Sequence, residues 1–247
     1  MKLTNRDLEI LKLINKFGYI NHTHLKEYLG VSKVRAYQIA NRLINNNFIE
    51  RLSILSGEPA IYICSRSSCK DFDYKYSNSI SLGVFKHNIL LVSLYLDLIK
   101  KYQQNTILSD RDLTKINGFK GVGSYGHIPD LVIQTEQEKN GYKDIAVELE
   151  LTRKSKKRVQ NIVKELDFKH KYLEVFYFCN SDTYEYIKGL TSGAKHIKVF
   201  SLEQSKEPSL NNDINEKIEY LQSEIIDKNK IILNLKTEIE ILKKGRF

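Results

Sequence analysis

The chain has 247 residues, 41% of them hydrophobic, with a formal net charge of +9 and a pI near 9.2. Its length admits two small packed domains, or one domain with appendages, and its basic balance points first to nucleic acid and second to a membrane surface. No uninterrupted apolar run approaches the roughly 20 residues of a membrane span; MKLTNRDLEILK does not read as a secretion signal; three cysteines without Cys-x-x-Cys suggest neither a disulfide framework nor a zinc site, and a reducing cytoplasm fits.

In chain order, Thr4 is the first helix start, with Asp7 three residues on as a capping box. Leu8, Leu11, Ile14 and Phe17 share one helical face, and Gly18 ends the run. A second helix spans 23–29 and stops at Gly30; Ser32 caps a third over 33–45. Two helices joined by a short glycine-containing turn read as helix-turn-helix. In the third helix Ala36, Ile39, Ala40 and Leu43 face inward, which leaves Lys33, Arg35, Tyr37, Gln38, Asn41 and Arg42 facing out beside Ser32. Such side chains reach phosphates and base edges of double-stranded DNA, arginine pairing with guanine and asparagine or glutamine with adenine. Asn47 supplies a left-handed stop, and two strands, 48–55 and 60–64, flank the turn Ser56-Gly57-Glu58-Pro59 as a wing. The order resembles winged helix-turn-helix regulators. Residues 1–66 hold ten basic against five acidic side chains. The same architecture used only for protein contacts is the alternative. His22 and His24 flank Thr23 where a helix opens, which suits capping or surface use better than metal binding.

Residues 67–81 are polar and aromatic without a period, and read as a linker. A helix over 84–102 is apolar on most of its circumference and so buried; His87 near its start reads as a structural histidine. A short strand follows at 106–109. The glycine-rich stretch 117–126 matches neither a dinucleotide nor a P-loop fingerprint, and reads as a flexible loop that could bring Lys115 and Lys120 to a DNA backbone.

Two β-rich runs, 128–135 and 145–151, face each other across Asn140-Gly141, a strong hairpin signal. Glu148 and Glu150, two apart, leave one face of the second strand, and Asp130 meets them if the register allows. Gathered carboxylates repel unless a cation joins them, and a hard ion such as Mg²⁺ or Mn²⁺ resolves that repulsion. Arg153, Lys154, Lys156, Lys157 and Arg158 follow at once. A helix over 155–172, a buried strand at 173–179, a helix to 190 capped by Ser181 or Asp182, and a strand at 197–202 complete a mixed sheet with helices on both sides.

Pro129-Asp130 on one strand, Glu148 on the next and a helix after it resemble the PD-(D/E)xK nuclease fold. The string AVELELTRKSKKR, with Phe85-Lys86-His87-Asn88 upstream, resembles the replication-relaxation family of mobile-element proteins and, more distantly, MobC-type mobilisation relaxases, over about residues 1–200. The resemblance implies binding, and nicking, of plasmid or mobile-element DNA at an origin of transfer or replication. Asp130 and Glu148 would then hold Mg²⁺ or Mn²⁺ and Glu150 would assist. Glu150 stands where the motif has lysine, so Lys154, one turn on, would orient water or phosphate in its place. The other reading is a degenerate site in a non-enzymatic transcriptional regulator or relaxosome accessory protein. None of the fifteen tyrosines stands out as a covalent nucleophile.

Residues 204–213, with Pro208, read as a second linker. Over 214–247, Ile218, Ile225, Ile232 and Ile239 recur every seven residues, with Leu221, Leu235 and Leu242 at the other seam position and Lys228 interrupting it. That pattern favours a parallel coiled-coil homodimer; packing on the chain's own domain or a higher oligomer is the alternative. The expected architecture is α/β (α+β): a winged helix-turn-helix at 1–66, a linker at 67–81, a restriction-endonuclease-like α/β sandwich at 82–203 and the coiled-coil helix.

Overall fold

The computed structural model describes residues 2–77, 79–103, 105–117, 127–135, 144–168 and 172–203. The chain folds as a mixed α and β structure with two sheets. Helix α1 (Asn5–Phe17) starts at a closed capping box: the Asp7 N–H donates to Thr4 Oγ1 at 3.3 Å and the Thr4 N–H to Asp7 Oδ2 at 3.0 Å. It ends at Gly18, whose φ of +83° few other residues adopt, and where a Cβ would meet Ser77 and Arg111. Strand β1 (Ile20–Asn21) leads into α2 (His22–Leu29), which stops at the left-handed Gly30. Ser32 Oγ accepts from the Arg35 N–H at 3.2 Å and opens α3 (Lys33–Asn45). Asn47, at φ +56°, turns the chain into β2 (Ile49–Leu52), which pairs with β3 (Ile61–Cys64) in an antiparallel sheet ordered β1-β3-β2. The paired strands are shorter than the 48–55 run because the ladder ends at Leu52–Ile61.

The stretch read as a linker is partly helical: α4 (Arg66–Asp71) is capped by Ser65, which accepts from the Ser68 N–H at 3.1 Å, and it buries Ser68 and Cys69. A cap and two small buried side chains suffice here without apolar periodicity. Helix α5 (Leu82–Lys101), at 20 residues, is long and apolar enough by length and composition to cross a membrane, although Lys86, His87, Asn88 and Asp97 interrupt its apolar run. In this fold it buries Phe85, Leu91, Val92, Leu94, Leu96 and Leu98 and packs against α2 and β1.

Strand β4 (Ile107–Ser109) and helix α6 (Asp110–Asn117) precede β5 (Leu131–Ile133) and β6 (Asp144–Glu150); then come α7 (Lys156–Phe168), β7 (Tyr172–Cys179), α8 (Ser181–Thr191) and β8 (Ile197–Ser201). The second sheet runs β4-β5-β6-β7-β8, antiparallel over the first two pairings and parallel over the last two. A parallel pair needs a crossover, and α7 is the one between β6 and β7. Ala146, Val175, Tyr177 and Cys179 pack on one face with Val159 and Leu166 of α7 and Ile187 of α8; each fully buried large apolar side chain is worth about 1.5–3 kcal/mol. Helix α8 is capped by Asn180, one residue before Ser181, through a 3.1 Å bond from the Thr183 N–H.

Residues Met1–Ser201 form one compact unit. Polar contacts join the amino-terminal helices to the rest of it: Lys16 pairs with Asp112, Ser109 Oγ donates to the Lys16 carbonyl at 3.0 Å, His24 Nε2 lies 3.0 Å from Ser93 Oγ and Lys100 lies 2.5 Å from Glu27. The glycine-rich loop from 118, the Asn140-Gly141 turn and the heptads over 214–247 lie outside the described residues.

Candidate functional site

Two groups of side chains carry the chemistry expected from the sequence. The first is the outward face of α3. Ala36, Ile39, Ala40 and Leu43 are buried, and Ser32, Lys33, Arg35, Tyr37, Gln38 and Asn41 are exposed. The Arg35 guanidinium donates to Gln38 Oε1 at 3.0 Å. Tyr37 stacks on His22, ring centroids 3.6 Å apart and planes 11° apart. His22 is buried, and burial holds its pKa below the ordinary histidine value, which favours the uncharged ring under the tyrosine.

Arg42 departs from the expected face. Its guanidinium pairs with Asp7 of α1, whose side chain is fully buried and already serves the α1 cap. A buried carboxylate needs a cationic partner, and Arg42 turns inward to supply it.

The second group gathers at the β5–β6 end of the larger sheet. The antiparallel register, Leu131 opposite Val147, continued by one step sets Asp130 opposite Glu148. Asp130 Oδ2 accepts from the Leu149 N–H at 2.8 Å, and His87 Nε2 of α5 lies 3.4 Å from that oxygen and 3.1 Å from the Leu149 carbonyl. Glu148 and Glu150 are 3% and 4% exposed, which for carboxylates demands partners. Glu148 Oε1 takes a 2.6 Å hydrogen bond from His127 Nε2, and Glu150 Oε2 lies 2.6 Å from Lys154 Nζ. The His127 N–H donates to Glu165 of α7 at 2.6 Å and so anchors the histidine. The four residues expected from the sequence, Asp130, Glu148, Glu150 and Lys154, thus come together, with two histidines added.

Burial raises the Glu148 pKa to about 7; the nearby Asp130 charge adds to this and the His127 bond opposes it. Burial disfavours a charged His127, but the hydrogen bond and the charges of Glu148 and Asp130 outweigh it and lift its pKa. Burial likewise opposes charge on His87, and Asp130 outweighs it, to about 9. Tyr177, opposite Glu148 on β7, has a buried hydroxyl without a hydrogen-bond partner among the described residues, and burial beside Glu148 and Glu150 pushes its pKa far above the tyrosine range.

The donor set as it stands does not match a metal centre. Among the described residues no group of three or more His, Cys, Asp or Glu is placed to hold an ion, and Asp130, Glu148 and Glu150 each already have an N–H or cationic partner. A divalent ion on Asp130 and Glu148 would have to take the place of His127.

His127 and His87 escaped the sequence reading as partners because their contacts are long-range. One signal was available for His127: it lies three residues before Asp130, at the mouth of the same strand.

No family model matches this sequence, and no curated protein matches it. Among solved structures the chain is similar to TrmBL2, an archaeal chromatin protein described as showing a novel mode of DNA binding, with 12% identity, 81% of this chain and 73% of that chain covered, and a TM-score of 0.22. A superposition that loose carries no argument about this chain.

Proposed function

We propose that this chain is a sequence-specific DNA-binding protein of a plasmid or other mobile element, acting at an origin of transfer or replication. Residues 1–66 act as a winged helix-turn-helix, with α3 entering the major groove and the β2–β3 turn as the wing. One observation carries the reading: α3 has no acidic residue and turns Lys33, Arg35, Gln38 and Asn41 to solvent beside an exposed cap, Ser32. The larger sheet with α5, α7 and α8 is a restriction-endonuclease-like domain, and the heptads over 214–247 make a homodimer. The test is binding of the full chain to fragments of its own replicon in rising salt. A preferred fragment, with affinity falling steeply as salt rises, supports the reading; equal, weak binding to all fragments defeats it.

For the second domain, the carboxylate partners favour a degenerate, non-enzymatic site over a nicking one. His127 on Glu148 and Lys154 on Glu150 neutralise the charge that a metal would otherwise join. The competing reading is metal-dependent nicking, with Asp130 and Glu148 as ligands of Mg²⁺ or Mn²⁺, Glu150 assisting and Lys154 orienting the phosphate. Incubating supercoiled plasmid carrying the preferred fragment with protein and millimolar Mn²⁺ separates the two. Open circles that disappear with Asp130→Asn establish nicking, and plasmid that stays supercoiled establishes the degenerate site.

A further inference from the structure

The exposed stripe of α3 has an apolar component outside the polar set considered so far. Val34, Tyr37, Gln38 and Asn41 follow the spacing i, i+3, i+4, i+7, so they lie along one line of the helix surface, and all four are exposed. That line is the middle of the outward face, opposite Ala36, Ile39, Ala40 and Leu43. Val34 is 67% exposed, among the most exposed large apolar side chains of the described residues. It lies in the first turn, between Lys33 and Arg35, where a helix in the major groove meets base edges. Tyr37, one turn on, is fixed by its stack on His22, and the Arg35–Gln38 bond steadies the polar edge of the stripe.

Resting on the reading of α3 as a recognition helix, we propose that Val34, backed by the ring of Tyr37, reads the 5-methyl group of a pyrimidine in the major groove. The flanking cations bring the helix to an anionic surface. A branched aliphatic side chain at the centre of that surface makes no hydrogen bond, and among major-groove edges an apolar group favours the pyrimidine methyl. Both thymine and 5-methylcytosine present it.

The experiment is selection of the full-length protein on a randomised duplex library. In the selected site each thymine is then replaced by uracil and each cytosine by 5-methylcytosine, one at a time. Wild type should lose about fourfold in affinity at one uracil, or gain about as much at one 5-methylcytosine, the worth of one buried methyl; which arm responds identifies the base. Val34→Ser should abolish that difference with an unchanged melting temperature, because the side chain is exposed, and Val34→Ile should keep it. If every methyl change is neutral in wild type, or if Val34→Ser discriminates as wild type does, the inference is wrong and the recognition-helix reading stands. If wild type enriches no sequence at all, both fall together.

Discussion

Arg42 and Arg35 lie seven residues apart on one helix and do different work. Arg42 neutralises the buried Asp7, and Arg35 is exposed. Arg42→Ala should therefore lower stability by about 1–3 kcal/mol, because it leaves the buried Asp7 carboxylate only the more distant Arg6 guanidinium, at 3.9 Å. Arg35→Ala should leave the melting temperature unchanged and weaken specific DNA binding by about 1–3 kcal/mol, the worth of a bidentate base contact. Thermal melting beside a binding titration checks both; a stable Arg42→Ala that loses only binding would return that residue to the DNA face. His24 sets a pH dependence of its own. Its Nδ1 accepts from the Asn21 N–H at 3.3 Å, which puts the proton on Nε2, where it donates to Ser93 Oγ at 3.0 Å. Burial lowers its pKa to about 4. A folded pKa below the unfolded one means the unfolded chain binds the extra proton as pH falls. Stability should thus be intact above about pH 6.5 and decline toward pH 4, with a slope of up to about 1.4 kcal/mol per pH unit. Denaturant titrations at several pH values read this directly, and in His24→Gln the decline should shrink.

At the scale of elements, the carboxylate hairpin gives the next prediction. Glu150 is buried and its cationic partner is Lys154, so Lys154→Met should cost about 1–3 kcal/mol whether or not metal is present. Melting wild type, Asp130→Asn and Glu148→Gln with chelator and with Mn²⁺ asks the metal question separately. A bound ion raises the wild-type midpoint by mass action and raises it less in the variants; with a degenerate site the three curves ignore Mn²⁺. The sequence announced what local chemistry decides. Thr4 with Asp7, Gly18, Gly30, Ser32 and Asn47 punctuate the first three helices where the structure has them, because a cap or a positive φ is settled within a few residues. Helix α4 was not legible, since RSSCKD carries no apolar period, and α6 (DRDLTKIN) is only eight residues long. Asn180 lost to Ser181 and Asp182 as the α8 cap because three adjacent residues could all do that job. Glu148 and Glu150 stood out by their spacing and Lys154 through the nuclease resemblance, while the partners of His87, 62 residues from Leu149, and of Arg42, 35 from Asp7, were not legible because only the fold brings such pairs together.

For the whole molecule, the heptads predict assembly. The full chain should run as a dimer in light scattering and a chain ending at Pro208 as a monomer; equal masses would remove the zipper reading. A dimeric reader implies two half-sites related by a two-fold axis. Helix α5 bears on the other end of the chain. Ser93 meets His24 of α2, and His87, six residues earlier on the same helix, meets Asp130 and the Leu149 carbonyl of the larger sheet. The protein is thus wired like two rooms sharing a wall. Someone wishing to transplant the first three helices and the smaller sheet into another protein cannot cut at residue 66. The excised piece would leave His24 and Glu27 without Ser93 and Lys100, and would strip Tyr19, Ile61 and Ile63 of Phe85. The smallest serviceable graft carries α5 with it, and whatever is fused beyond Lys101 inherits a rigid stem in place of a tether.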